Sequence, residues 1–570
     1  MITYTFSIAN PQQQYIQLEV CFPTEGKSQL KLKLPTWRPG RYELGNFAKN
    51  VKGLKVFDAN NKRCQVRKED TSTWLVEGID SASITVHYSY YAAELNAGST
   101  YLDTEQLYVN PVNCCMYAVG MEDMNCHVQL HVSEQWKIAA GLSVQDRSFT
   151  TTNFDQLADT PFICSPNLQH QTYECQGIPY HVWINGNIQP DWERLIHDFS
   201  LFTERQLKAF GEFPVDEFHF LIHILPYSAY HGVEHLTSTV ITLGPSPQVF
   251  KRLYKELLGV SSHELYHVWN IKALRPKDML PYDFSKANFS ELGYIYEGVT
   301  TYLGDLYLLK SGVFSIDQYL DEMQTQLQKH FDNHGRFHYS VAESSFDTWL
   351  DGYVPGAPGR KVSIYTEGCL IAFVLDTMIG KATHYKFGIE ELMKRLYFTY
   401  GGTQHGYTET DVLEQLKNIT GQDFTAFFES YVHGNASFEP ILTEAFEAIG
   451  LELVCEPAAS YSESTLGCKL QRSNGTNKVH AIFPGSPADL GGLMLGDEIF
   501  AINSMVCQSD VDGWFNYFEH EEKQVSIVRK GKLIQTVIPE VNRTFYNRYN
   551  VKELATLTHE QTKAKKQWMS

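Results

Sequence analysis

At 570 residues the chain is too long for one hydrophobic core, and 43% hydrophobic with 20% charged residues is the composition of a globular protein of two to four domains. A formal charge of −19 argues against nucleic acid or anionic membrane as a main partner, because nothing would neutralise phosphates. The 11 cysteines are scattered and read as reduced, buried thiols; the adjacent Cys114 and Cys115 lack the spacing of a zinc ribbon.

Met1 opens onto ITYTFSIANPQQQYIQLEV, with no basic segment leading into an apolar one. No run of about 18 apolar residues follows, so neither a signal peptide nor a membrane span is expected, and the expected location is cytoplasmic. Residues 1–172 read as a β-sandwich. LKLKL (30–34), ITVHY (84–88) and VQLHV (128–132) alternate as half-buried antiparallel strands do.

The texture changes after GIPYHVWINGN. Residues 173–450 read as a mainly helical domain with a small sheet. EFHFLIHILP is a strand, and helical spacing runs over 250–271, 291–310, 316–330, 365–379 and 390–398. Residues 331–361 read as a long loop of the kind that is often functional. Residues 451–545 turn β-rich again, and 546–570 form a polar tail that is either frayed or docked as a helix. The fold class expected is multidomain α+β.

The chemistry concentrates in SSHELYHVWNI. On a helix, residues four apart lie about 40° apart around the axis, so His263 and His267 share a face and can reach one zinc ion. Glu264 stands beside the pair, aimed past the metal, where a general base belongs. Apolar neighbours such as Leu257, Leu265, Val268 and Trp269 predict a buried helix, in which two imidazoles and a carboxylate need partners. Zinc requires a third ligand. Glu297, among Tyr294, Ile295 and Tyr296, is preferred over Glu291, with Thr301 one turn on as a group that could orient a ligand; Asp305 is a weaker candidate for that task.

SSHELYHVWNIKALRP followed by YEGVTTYLGD resembles the bacterial glycyl aminopeptidase family of zinc metallopeptidases, whose members commonly carry a PDZ domain. LPTWRPGRYELGNFAKNV, HGVEHLTST, ESSFDTW and SIYTEGCLIAFVLD extend the resemblance over nearly the whole chain. It implies a thermolysin-like catalytic domain related to aminopeptidase N. It further implies one zinc per chain on His263, His267 and Glu297, with Glu264 as base. Gly232 and Glu234, in the Gly-x-Glu-His segment, would bind substrate, Glu234 holding its free α-amine. Tyr365 would donate to the oxyanion, and the N-terminal residue removed would be small, Gly or Ala. Glu367 stands where the family usually has a basic residue. His235 is read as shaping the cleft, not as a ligand, and GVEHLTSTVITL as an edge strand able to pair with a peptide.

FPGSPADLGGLMLGDEIFAIN resembles a bacterial PDZ domain, with a short helix over 486–490, a turn at Gly496-Asp497, a strand over 498–502 and a hairpin at Lys530-Gly531. Its carboxylate-binding loop would lie around 466–470, and the module either captures a peptide C-terminus or only docks. The function expected is a zinc aminopeptidase acting on peptides with a free N-terminus. A zinc endopeptidase follows if Glu234 does not face the cleft. A non-catalytic peptide-binding scaffold is the reading from another class.

Overall fold

The computed structural model describes residues 1–473, 475–507 and 510–570. Among them no helix is long and apolar enough to cross a membrane. All 11 cysteines are free, and most are buried, but Cys455 is exposed.

The N-terminal region is β-rich. Its largest sheet has six strands, with Ile2–Ile8, Tyr15–Pro23 and Ser83–Tyr91 at the centre. Alternation sends Tyr4, Phe6, Ile16, Leu18, Ile84 and Val86 to the core face, as period-two patterning requires. Two four-stranded sheets complete the domain. The loop that follows Leu34 leaves this domain and seats in the next. Trp37 is fully buried against Tyr282 and Trp349, and its indole N–H donates to the Asp283 carbonyl at 2.7 Å. One continuous apolar core therefore runs through both regions.

A five-stranded sheet opens the second region, in the order Gln169–Cys175, Ile178–Asn185, Phe218–Ile224, Ser238–Gly244, Ala229–Glu234. GVEHLTSTVITL, read as one edge strand, is two. Only Ala229–Glu234 lies at the edge, antiparallel to the interior Ser238–Gly244, because residues 235–237 turn the chain. The helix expected over 250–271 is shorter, Tyr254–Tyr266. It stops because Ile271 takes a positive φ of 92° and the amides of Lys272 and Leu274 turn back onto the carbonyls of His267 and Trp269. The next helix starts at Tyr294, not 291, and its first stretch, Tyr294–Val299, is π-helical before Thr300–Lys310 continues as α. That wide turn crosses Ile364–Ala382 closely: a Cβ on Gly298 would stand 2.3 Å from the Gly368 Cα.

Residues 331–361, expected as a loop, hold a 3-10 turn at His334–Phe337 and two short helices, Val341–Phe346 and Thr348–Asp351. Ser340 and Glu343 form a capping box, which starts the first of these helices inside the stretch expected as a loop. At the C-terminal end, Leu451–Pro457 pairs with Asn547–Glu553 as a two-stranded ribbon, and Tyr549 of that ribbon stacks on Phe331 at 3.6 Å. Residues 546–570, expected as a polar tail, thus supply a strand and the docked helix His559–Trp568. Between the ribbon strands sits a separate sheet with its own core around Cys468, Ile499, Phe515 and Ile527.

Candidate active site

The site forms where five segments meet: the helix Tyr254–Tyr266, the π turn Tyr294–Val299, the edge strand Ala229–Glu234, the start of Ile364–Ala382, and the N-terminal loop around Gly40. His263 projects from the last turn of its helix, and His267 is the capping residue just beyond it, still in helical conformation. Their Nε2 atoms are 3.0 Å apart. Glu297 Oε2 stands 3.3 Å from His267 Nε2 and 3.8 Å from His263 Nε2.

This triangle suits a tetrahedral divalent cation. Ligand bonds of about 2.0–2.1 Å give ligand-to-ligand edges of about 3.3–3.4 Å, which the three separations bracket. The far side of each donor is also arranged. His267 Nδ1 faces the Asn270 carbonyl at 3.0 Å, so a proton placed there leaves Nε2 bare. Tyr42 donates its hydroxyl to Glu297 Oε1 at 3.0 Å, leaving Oε2 for the cation. Asn270 Nδ2 bonds the Ile295 carbonyl at 2.9 Å and Thr300 Oγ1 at 3.0 Å, tying the histidine turn to the glutamate turn.

Electrostatics agree with the geometry. Burial works against ionisation of Glu297, but the His267 and His263 imidazoles overrule it and hold the carboxyl at about 2. Burial lowers His267 too, yet Glu297 lifts it to about 10, so positive charge is favoured at this point. Burial lowers His263 below its ordinary value. Glu264 is raised well above the ordinary carboxylate range, by burial foremost; His267 opposes the rise and Glu234 and Glu297 add to it. Burial likewise keeps Tyr365 a phenol, well above its usual range.

The expected substrate residues line the same cleft of about 520 Å³: Gly232, Glu234, Glu264 and Tyr365 join the triad there. Glu234 Oε1 and Glu264 Oε2 are buried without a partner, two acceptors turned to a space a ligand would fill. Gly232 sits where a Cβ would be 2.1 Å from Glu264 Oε1, and Gly40 where one would be 2.5 Å from Glu234 Oε2.

Several expectations are corrected. Glu291 is exposed and plays no part in the triad. Thr301 bonds the backbone carbonyl of Glu297 at 2.9 Å and not a ligand carboxylate; Tyr42 does that. Glu367 faces away from the cleft and pairs with buried His330 at 2.7 Å, and His235 turns to Asp159 at 3.0 Å. Tyr42, Gly40, Asn270 and Tyr353, which is hydrogen-bonded to Tyr365, were not anticipated as site residues. Periodicity carries no signal for them, since all four lie on loops or turns and three of those come from another domain or from residues 331–361.

His181, Glu217 and His219 form a further group close enough to hold an ion. The Trp183 indole N–H donates to His219 Nδ1 at 3.2 Å, which leaves the proton on Nε2 and makes that nitrogen a donor, not a ligand.

No curated protein matches the sequence. Among solved structures, the aminopeptidase N family protein of Idiomarina loihiensis is 26% identical, with full coverage of both chains and a TM-score of 0.90. The M1 zinc metallopeptidase of Deinococcus radiodurans, as a variant, is 13% identical over 74% of this chain and 90% of its own, TM-score 0.44. The same enzyme bound to a Tyr-Ser-Ala substrate gives 14% identity, the same coverage and TM-score 0.44, an overlap too loose to bear on the site. Residues 3–166 match the Peptidase M61 N-terminal domain and residues 256–371 the M61 glycyl aminopeptidase domain, so the chain carries the N-terminal and catalytic domains of the M61 glycyl aminopeptidase family of peptidases.

Proposed function

We propose that the protein is a zinc-dependent aminopeptidase that removes one small residue, Gly or Ala, from peptides with a free N-terminus. The observation that carries the reading is the convergence of His263 Nε2, His267 Nε2 and Glu297 Oε2, with two unpartnered carboxylates, Glu264 and Glu234, on the same cleft.

His263, His267 and Glu297 would hold one zinc ion, which would supply Lewis acidity, lowering the pKa of adjacent water to about 7 and polarising a carbonyl. Glu264 takes a proton from the attacking water and passes it to the leaving amine. Tyr365, kept protonated, donates to the developing oxyanion; such a donor is worth about 3–4 kcal/mol in the transition state. Glu234 accepts the substrate's α-ammonium in a charge-assisted bond. The Pro39–Arg41 loop packs onto Glu234, closing the cleft just beyond the amine, which favours exopeptidase over endopeptidase action.

The test is hydrolysis of glycyl and alanyl chromogenic amides alongside N-acetylated peptides, with zinc quantified. Activity should require one zinc per chain, vanish with chelator and return with zinc, and spare acetylated peptides. Efficient cleavage of the blocked peptides would overturn the aminopeptidase reading; turnover without metal would overturn the zinc assignment.

For the PDZ-like segment we favour docking over peptide capture. The amides of Thr465 and Leu466, in the loop where a terminal carboxylate would bind, already donate to the Tyr461 carbonyl at 3.0 and 2.9 Å. Lys469 pairs with Asp332 of the catalytic region at 2.5 Å, and Phe483 packs on His334 at 4.4 Å.

A further inference from the structure

Arg38 is a cation in an unusual position. It begins the loop whose Gly40 touches Glu234 and whose Tyr42 bonds Glu297. Only 5% of it is exposed, yet among the described residues no carboxylate comes within 4.0 Å of its guanidinium. Its one hydrogen bond to protein is a long one, Nη1 to the carbonyl of the adjoining Pro39 at 3.4 Å. Nε and Nη2 have no acceptor. The guanidinium lies flat against Gly98, where a Cβ would overlap its central carbon at 1.8 Å. Chain packing thus holds the group in place without satisfying it.

None of the Arg38 nitrogens is among the fully buried atoms without a partner, so the little surface this residue keeps lets Nε and Nη2 meet whatever fills the adjoining space; a charged group so nearly buried is costly unless something there completes it. The space it faces is a cavity of about 350 Å³ in the N-terminal domain, walled by Arg38, Arg41, Ser99, Thr100 and Asn113, with exposed Lys49 at its mouth. The two acids on its wall are engaged: Glu43 by Arg41 and Glu94 by Asn96 Nδ2 at 2.6 Å. Asn113 Oδ1 on the same wall is a buried acceptor without a partner, so the cavity sets the open donors of Arg38 beside one open neutral acceptor. The cavity shares no lining residue with the peptide cleft, although the 38–42 loop contributes Gly40 to the cleft and Arg38 and Arg41 to the cavity.

We propose that this cavity is a binding site for a small oxyanion, held by the fork of Arg38 and drawn in by Lys49. The planar guanidinium matches two oxygens of a carboxylate or of a phosphate, the chemistry common to both. A bound oxyanion would pin the loop that also carries Gly40 and Tyr42.

Isothermal titration of the full-length protein with sodium phosphate and, separately, sodium acetate, at ionic strength fixed with chloride, tests this. Each titration is run on the zinc-loaded protein and again after chelation. One anion should bind one per chain in both metal states, and the better of the two identifies the source. Arg38→Gln should abolish that binding while leaving zinc content and circular dichroism unchanged. Should that variant fail to fold, Lys49→Glu, an exposed change at the mouth, should weaken the anion at least fivefold. Binding that disappears with the metal, affinity unchanged in Lys49→Glu, or no binding above the chloride control would each overturn the proposal.

Discussion

Gly232 carries no reactive group, yet the position of Glu264 depends on it. A methyl group there would reach within 2.1 Å of Glu264 Oε1 and 2.8 Å of Val260 Cγ2, so the carboxylate would have to swing out into the cleft. Gly232→Ala should therefore keep zinc and fold while kcat falls at least about a hundredfold, because misplacing a catalytic group by about 1 Å has that effect. Steady-state kinetics with a zinc assay checks it, and unchanged kcat would mean that Glu264 is not the base. Glu264→Gln should likewise retain the metal and lose most turnover. Tyr42 acts differently: its hydroxyl holds the oxygen of Glu297 that does not face the cation. Tyr42→Phe should weaken zinc binding by about 10–100-fold, as read by competition with a chelator, with a smaller effect on the metal-saturated kcat. HELYH was legible because two histidines and a glutamate at helical spacing leave few physical alternatives. Gly232 and Tyr42 were not legible as chemistry, since one acts by having no side chain and the other through a contact spanning 255 residues.

At the scale of elements, the sequence disclosed types better than ends. The helix bearing the histidines was foreseen, but its stop was not, because Val268, Trp269 and Ile271 keep an apolar pattern while the backbone already turns. The π turn at Tyr294–Val299 was invisible for a related reason. An i→i+5 turn leaves no compositional mark, and only the Gly298–Gly368 crossing explains the room it takes. Seating of the edge strand depends on the N-terminal domain. Asp159, at the end of the short helix Phe154–Ala158, accepts from Lys272 Nζ at 2.7 Å, from the Leu236 amide at 2.9 Å and from His235, next to Glu234. Burial alone would raise the Asp159 carboxyl, but Lys272 and His235 hold it well below its ordinary range. A carboxyl depressed by folding adds stability above its unfolded pKa of about 3.9, and that stability is lost as pH falls below it. Lys272→Met, which leaves the buried acid unpaired, should cost about 3–5 kcal/mol at pH 7. Between pH 7 and pH 3.5 the gap in urea midpoints should narrow, because the unpaired acid of the variant takes up a proton while the wild-type carboxyl, held by Lys272 and His235, stays ionised; a constant gap across that range would refute the pairing.

The whole molecule is closed by its own C-terminus. The helix His559–Trp568 has a strongly polar sequence, which is why it read as a tail, and two side chains, Ala564 and Trp568, anchor it. Trp568 packs edge-on against Tyr319 at 5.4 Å, and its indole N–H donates to the Tyr302 hydroxyl at 2.9 Å, which in turn donates to Asp376 at 2.6 Å. Tyr302 belongs to the α-helix that continues from the π turn of Glu297, and Asp376 to the helix Ile364–Ala382, which carries Tyr365 in its first turn. The terminal helix therefore braces the two elements that carry Glu297 and Tyr365, the residues proposed as metal ligand and oxyanion donor. Trp568→Ala removes a large buried ring and should destabilise the fold by about 3–5 kcal/mol. Trp568→Phe, which keeps the ring contact and loses only the N–H donor, should cost nearer 1 kcal/mol, since Tyr302 retains Asp376. Chemical denaturation gives both values. Because the brace sets rigidity and not the first contacts with substrate, kcat/KM at low temperature should stay within about twofold of wild type in both variants. The Ala variant should lose zinc and activity together at a lower temperature than wild type. If the Ala variant instead unfolds at the wild-type urea midpoint, the helix is an ornament on the surface, and the catalytic helices hold their spacing without it.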